Sequence, residues 1–155
     1  MITYRQATLN DINILINSRV EFMKDYWGEQ DEQTISTLEK ELEMFFKETI
    51  PNQAYISVLA FDGETWVGVG GMSIQCRPGS FRLPNGKSGY IMNMYTIPAY
   101  RRRGIALSVL DKLVEIGRQS GIKLFDLNAT EEGEPVYIKY GFIKHKEPNY
   151  RLFSN

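Results

Sequence analysis

The sequence predicts an α/β fold in which a mixed, mostly antiparallel sheet carries helices on its faces. Three observations support this reading. Apolar residues recur at helical spacing from about residue 12 to 47, gather into strand-like runs between 54 and 97, and return to helical spacing over 104–119. Proline, glycine, asparagine and aspartate fall at the joints between these segments. No internal repeat or low-complexity tract interrupts the series, so the order reads β-α-α-β-β-β-α-β-α-β-β.

Residues 2–7 alternate like a short strand. Asn10-Asp11 can cap a helix whose apolar residues are Ile12, Leu15, Ile16, Val20 and Phe22-Met23, ended by Trp27-Gly28. A second helix spans about 33–47, with Leu38, Leu42, Phe45 and Phe46 on one side, and stops before Pro51. Residues 54–61 form a strand, Asp62-Gly63-Glu64 a turn, and 65–74 a second strand weakened or bulged by Gly68, Gly70 and Gly71. A long loop over 78–89 leads to a strand at 90–97, ended by Pro98. The stripe Ile105, Ala106, Val109, Leu110, Leu113, Val114 and Gly117 marks a sheet-packing helix over 104–119, stopped by Gly121. A strand at 122–128, a short helix at 131–140 and closing strands at 142–146 and 150–153 complete the order.

The 155 residues fit one domain, 1–155, large enough to bury roughly 70% of its unfolded surface. Eighteen Lys+Arg against nineteen Asp+Glu give a net charge of −1, which argues against a general nucleic-acid binder. The lone Cys76 cannot form an internal disulfide, and one histidine leaves the usual zinc sets without ligands. No metal site is expected. Met1-Ile2-Thr3-Tyr4-Arg5 has no basic-then-apolar signal pattern, and no apolar run nears the ~20 residues that span a bilayer. The expectation is a cytoplasmic protein.

The most informative segment is Tyr95-Thr96-Ile97-Pro98-Ala99-Tyr100-Arg101-Arg102-Arg103-Gly104-Ile105-Ala106. A strand ends at a proline, and an arginine-rich turn runs straight into a helix. The first turn of a helix offers free amides and a positive dipole end to an anion. Gly104 and Ala106 let a phosphate approach the backbone, while Arg101, Arg102 and Arg103 add permanently charged planar donors. This chemistry suits a pyrophosphate. The competing reading is a solvated surface turn with Gly104 as a plain helix start.

Arg101-x-x-Gly104-x-Ala106, preceded by a strand and Pro98, resembles the acyl-CoA signature of the GNAT N-acetyltransferase superfamily. The stretch from Ala129 to Phe142, ending Tyr137-Ile138-Lys139-Tyr140-Gly141-Phe142, is similar to that family's downstream helix. The element order matches across essentially the whole chain.

The resemblance implies a GNAT acyl-CoA N-acyltransferase fold of about six to seven strands, with a splay between the fourth and fifth strands. It implies acetyl-CoA as co-substrate. Backbone groups of Met94, Tyr95 and Thr96 would pair with the pantetheine arm, and amides from Arg102 through Ile105 and Ala106 to Leu107 would hold the pyrophosphate. Tyr137 aligns with the tyrosine that donates a proton to the departing thiolate; the alternative is a ring that packs and bonds a backbone carbonyl. Thr130 stands where the family often has an asparagine against the pantetheine. Tyr140 is assigned to packing.

The reaction implied is direct attack of an amine on the thioester, without an acetyl-enzyme. Its general base is not legible: Glu21, Asp25 and Asp126 are carboxylates within plausible range, each also readable as a solvated surface charge. Asn93 would orient water or substrate if it faced the cleft. Residues 29–48 carry a local charge of −5, which favours a cationic amine or is a polar helix face. Tyr26, Trp27 and the Phe81 loop could wall an acceptor pocket or simply pack, and His145 and Cys76 read as structural and inert. A non-catalytic acyl-CoA-binding sensor on the same fold is the competing function. A nucleotide site is disfavoured because neither GxxxxGK[ST] nor GxGxxG is present. The acceptor is a primary amine of a small molecule or peptide, and the resemblance leaves a homodimer open.

Overall fold

The computed structural model describes residues 1–154. Five strands lie in sequence order in one sheet: β1 (Ile2–Gln6), β2 (Tyr55–Asp62), β3 (Thr65–Cys76), β4 (Lys87–Thr96) and β5 (Leu124–Leu127). The first four pair antiparallel, and β5 runs parallel to β4. The helices are α1 (Ile12–Trp27), α2 (Glu32–Thr49), α3 (Ile105–Gln119) and α4 (Glu134–Tyr140). A parallel neighbour demands a crossover, and α3 supplies it.

The sheet is buried on both faces. Along β2, Ile56, Val58 and Ala60 meet Ile105, Val109, Leu110, Leu113 and Val114 of α3. The alternate residues Tyr55 and Leu59 meet Leu15, Ile16 and Val20 of α1 and Phe46 of α2. Residues covered on both sides need no polar face, so 55–60 read as an almost unbroken apolar run. Each fully buried leucine or valine contributes roughly 1.5–3 kcal/mol to this packing. No helix among the described residues is long and apolar enough to cross a membrane.

Several boundaries differ from the sequence reading. Asp11 holds the N-cap position of α1 as expected, but its side chain makes no capping bond to that helix; Thr8 caps the 3-10 turn before it, its side chain accepting from Asn10 N–H (3.3 Å) while Asp11 accepts from Thr8 N–H (2.8 Å). Asp11 is buried, and its carboxylate takes two bonds from Arg5 (2.8 and 2.9 Å), which hold it below the usual carboxylate range. β4 begins at Lys87 because Ile74, Gln75 and Cys76 extend β3 and pair with Gly89, Ser88 and Lys87. α4 starts at Glu134, since residues 131–133 form a turn closed by Gly133 N–H to Thr130 O (3.1 Å). The sheet has five strands among the described residues rather than six to seven. Residues 142–154 hold no strand, so the closing strands at 142–146 and 150–153 are absent and His145 lies in an exposed loop. Alternation alone does not make a strand; it needs a neighbour's backbone, and none is supplied there.

Candidate active site

The site begins with a fault in the sheet. β4 pairs with β3 along its whole length, but with β5 only from Ser88 opposite Leu124 to Ile91 opposite Leu127. Beyond Ile91 the outer edge of β4 has no strand neighbour among the described residues. The splay expected between the fourth and fifth strands is therefore present. Its local cause is a bulge: Met92 and Tyr95 span three steps of β4 where Gly71 and Val69 span two of β3. Asn93 sits in that bulge at φ 54°, a left-handed conformation that asparagine tolerates better than most residues. The extra residue sends Met94 toward α3 and leaves Met92 and Tyr95 on the α1/α2 face.

The strand then delivers its end to a helix. Ile97 N–H bonds Val67 O (3.1 Å), a 3-10 turn covers Pro98–Tyr100, and Arg102 (φ 63°) and Gly104 (φ 79°) turn the chain into α3. The first bond across the helix start runs from Ser108 N–H to Gly104 O (3.1 Å), so helix geometry leaves the amides of Ile105, Ala106 and Leu107 without backbone acceptors. A Cβ placed on Gly104 would meet nothing within 4 Å, so this mouth is open. Residues 101–104 are all exposed.

The three arginines do different work. Arg101 donates from Nε to Thr96 O (3.0 Å) and from its terminal nitrogen to Asp25 (2.9 Å), with its guanidinium over the Tyr95 ring (5.6 Å). Tyr95 in turn stacks on Trp66 (6.2 Å between centroids). That stack ties α1 to the end of β4, and it occupies both Arg101 and Asp25, which the sequence suggested as an anion donor and a base. Arg103 lies over Tyr100 (4.6 Å), and neither Arg102 nor Arg103 makes an ion pair among the described residues.

On α4, Tyr137 packs edge-on against Phe142 (6.1 Å), and its hydroxyl makes no hydrogen bond to the described residues. Burial, reinforced by nearby Tyr90, pushes the phenol up to about 12, so it keeps its proton across the neutral range. Tyr140 serves structure, donating to Asp111 on α3 (3.0 Å). The Thr130 hydroxyl accepts from Gly133 N–H (3.1 Å) and keeps its own proton available.

The α1/α2 face of the splay holds the polar groups that packing alone leaves unexplained. Asn93 is 3% exposed, and neither its amide oxygen nor its nitrogen has a hydrogen-bond partner among the described residues. It stands beside the Tyr55 hydroxyl without reaching bonding geometry; burial raises that phenol to about 12, against the opposing influence of Asn93 and then Arg19. One oxygen of Asp126 is buried and unpartnered. Glu21 is exposed and pairs with Lys24 (3.5 Å). Tyr55 and Arg19 carried no sequence signal, since a tyrosine in an apolar strand and an arginine on a helix look structural. The Tyr26-Trp27 pair and Phe81 are exposed, as are most of the acids on α2. A shallow depression beside Thr3, Arg5 and Glu64 lies at the β1 edge, across the sheet from the splay.

Known proteins share this fold. The sequence model of the acetyltransferase (GNAT) domain matches residues 24–152. A predicted acetyltransferase from Clostridium acetobutylicum, crystallised with acetyl-CoA, superposes with a TM-score of 0.89 at 30% identity over 98% of this chain and 96% of that one. A GCN5-related N-acetyltransferase from Ralstonia eutropha shares the fold (TM-score 0.85, 21% identity, 98% of this chain and 99% of that one). A probable glucosamine 6-phosphate N-acetyltransferase from Oryza sativa is 34% identical over 64 residues, which is 41% of this chain and only 39% of the rice protein's length. With the family's domain model covering most of its length, and its splay and helix mouth in place, the chain belongs to the GNAT acetyltransferase family.

Proposed function

We propose that this chain transfers the acetyl group of acetyl-CoA to a primary amine of a small molecule or peptide within one ternary complex. The observation that carries the reading is that β4 loses its outer neighbour at Ile91 and then runs, edge free, to the open mouth of α3 at Gly104. A pantetheine arm is an extended chain with amides, and a free strand edge is what such a chain pairs with. Met94, Tyr95 and Thr96 present that edge. The amides from Arg102 to Leu107 would hold the pyrophosphate, with Arg102 and Arg103 adding charge and Arg101 fixing the strand end through Thr96.

Acetyl-CoA supplies an acyl carbon activated by a thiol leaving group. As the amine nitrogen bonds that carbon and the C–S bond breaks, Tyr137 donates a hydrogen bond to the sulfur. A phenol held near 12 is a weaker acid than an ordinary thiol at ~8.5. Tyr137 therefore steadies the thiolate by a hydrogen bond and keeps its own proton, and the proton that finally rests on sulfur is the one shed by the amine nitrogen as the amide forms. Asn93 orients the amine or the water that carries its proton, and the Thr130 hydroxyl remains free to donate to the pantetheine.

The test measures free thiol released from acetyl-CoA across polyamines, amino acids, aminoglycosides, peptide N-termini and, given the rice relative's name, amino-sugar phosphates. Tyr137→Phe is expected to lower kcat about 100-fold while acetyl-CoA binds within twofold of the parent. Tight CoA binding with no acetylation of any amine would replace this reading with a non-catalytic acyl-CoA-binding module.

A further inference from the structure

We propose that the acceptor amine carries an anionic group, a phosphate monoester or a carboxylate, and that Arg19 selects it. The inference rests on the transfer reading for where the amine stands, at Asn93, and adds what the rest of the acceptor must present. α1 holds two cations, Arg19 and Lys24. Lys24 pairs with Glu21 (3.5 Å) and Glu29 (3.8 Å), whereas Arg19 makes no ion pair or hydrogen bond among the described residues. It is half-buried, with its guanidinium 5.7 Å from the centre of the Phe22 ring. One turn upstream, Leu15 and Ile16 pack in the cluster that holds Tyr55 and Met92. Six residues downstream, Asp25 reaches Arg101 beside Tyr95, so α1 comes down on the end of β4. Six residues of helix advance roughly 9 Å and three of strand about 10 Å, which sets Arg19 level with Asn93. Its charge reaches the Tyr55 phenol there and offsets part of the rise that burial imposes.

Arg19 thus joins two other polar groups on the α1/α2 face of the bulge. The Asn93 amide is 3% exposed and lacks a bond at either atom among the described residues. The Tyr55 hydroxyl lies against Gly71, where a Cβ would collide with it, and Gly71 pairs with Met92, next to Asn93. The nearby acids do not neutralise Arg19: Glu21 is held by Lys24, Asp25 by Arg101 (2.9 Å), and the acids of α2 are mostly exposed. A charge drawn out of water is costly without a counter-charge, and an anion on the acceptor supplies one. The planar fork of a guanidinium matches the oxygens of a phosphate or carboxylate in two parallel bonds. The Tyr55 hydroxyl and the Asn93 nitrogen add neutral donors beside it.

Matched amines test this: phosphoethanolamine against ethanolamine, glucosamine 6-phosphate against glucosamine, and β-alanine against β-alaninamide. In at least one pair the whole protein should favour the anionic member at least 30-fold in kcat/KM, and which pair does so tells phosphate from carboxylate. Arg19→Met keeps the apolar stem over Phe22 and removes the charge. It should bring that ratio to within threefold of one, chiefly through KM, and Arg19→Lys should restore part of it. Calorimetry at saturating CoA reads the same preference without chemistry: the anionic member should bind the parent at least tenfold more tightly than its partner, and the Arg19→Met protein no more tightly. An Arg19-dependent preference in binding with no transfer to any amine would sink the transfer reading and leave this one standing. The proposal is overturned if no pair shows a preference in turnover or binding. It is equally overturned if Arg19→Met weakens both members of a pair alike, as a merely structural side chain would.

Discussion

The two halves of β4 share one backbone and differ in company. Residues 88–91 lie between β3 and β5, and there the packing is closed: a Cβ on Gly89 would come within 2.5 Å of the Met72 sulfur and 3.2 Å of the Phe125 ring. Residues 92–96 keep only β3. There the chain bulges, Asn93 adopts φ 54°, and a buried amide finds no partner. One half is built as a core; the other keeps an open edge, where we propose acetyl-CoA binds. Departures from good packing and polar satisfaction gather where function is expected to lie.

The largest expected effect comes from closing the open half at its far end. Gly104→Val places a branched side chain at the mouth where the helix amides stand clear, and should weaken acetyl-CoA binding at least 30-fold by calorimetry. Part of any loss could come from strain, because a non-glycine residue at φ 79° costs roughly 1–2 kcal/mol. Gly104→Ala carries strain of the same kind, smaller because alanine is not β-branched, with little bulk. If it weakens binding as much as valine does, the mouth is not where the ligand sits.

The closed half should respond in the opposite way. Gly89→Ala forces a methyl group against Met72, which is wholly buried, and Phe125. Overpacking of this kind costs about 1–3 kcal/mol, which in a chain of this size lowers Tm by roughly 2–12 °C. Acetyl-CoA affinity of the folded protein, measured well below that Tm, should stay within twofold. A large affinity loss without a Tm change would erase the distinction between the halves.

How much of this was legible in the sequence depended on the range of the interaction. Pro98 and Gly104 punctuate the mouth of α3 locally, and the α3 stripe repeats at helical spacing, so both could be read directly. The bulge could not: Met92-Asn93-Met94 reads as plain alternation, and one extra residue shows only in register against β3. The pairing of Arg101 with Asp25 joins residues 76 apart, and spacing carries no information about it. Thr8 was passed over because Asn10 and Asp11 are equally good capping residues; the Asp11 carboxylate turns back to Arg5 and to Thr8 N–H rather than to the amides of α1. The closing strands were read from alternation alone, but a strand is a relation between two segments, and the described residues supply no second one there.

Asn93 gives the subtlest way to divide the halves of β4, because stability and activity should separate there. Asn93→Ala leaves a non-glycine residue in left-handed backbone, where alanine is less at ease than asparagine by about 1 kcal/mol. It also removes a buried amide that meets no partner, which relieves a penalty of about 1–3 kcal/mol. The opposing contributions predict a Tm within about 4 °C of the parent, measured by calorimetry. If the amide is held unpartnered in order to meet the amine or its water, kcat/KM for the amine falls tenfold or more, with acetyl-CoA binding intact. If instead it only props the bulge, Tm falls while the folded protein keeps its kcat/KM. On the first outcome an incoming ligand completes the hydrogen bonds this buried amide lacks, and the alanine variant measures that directly.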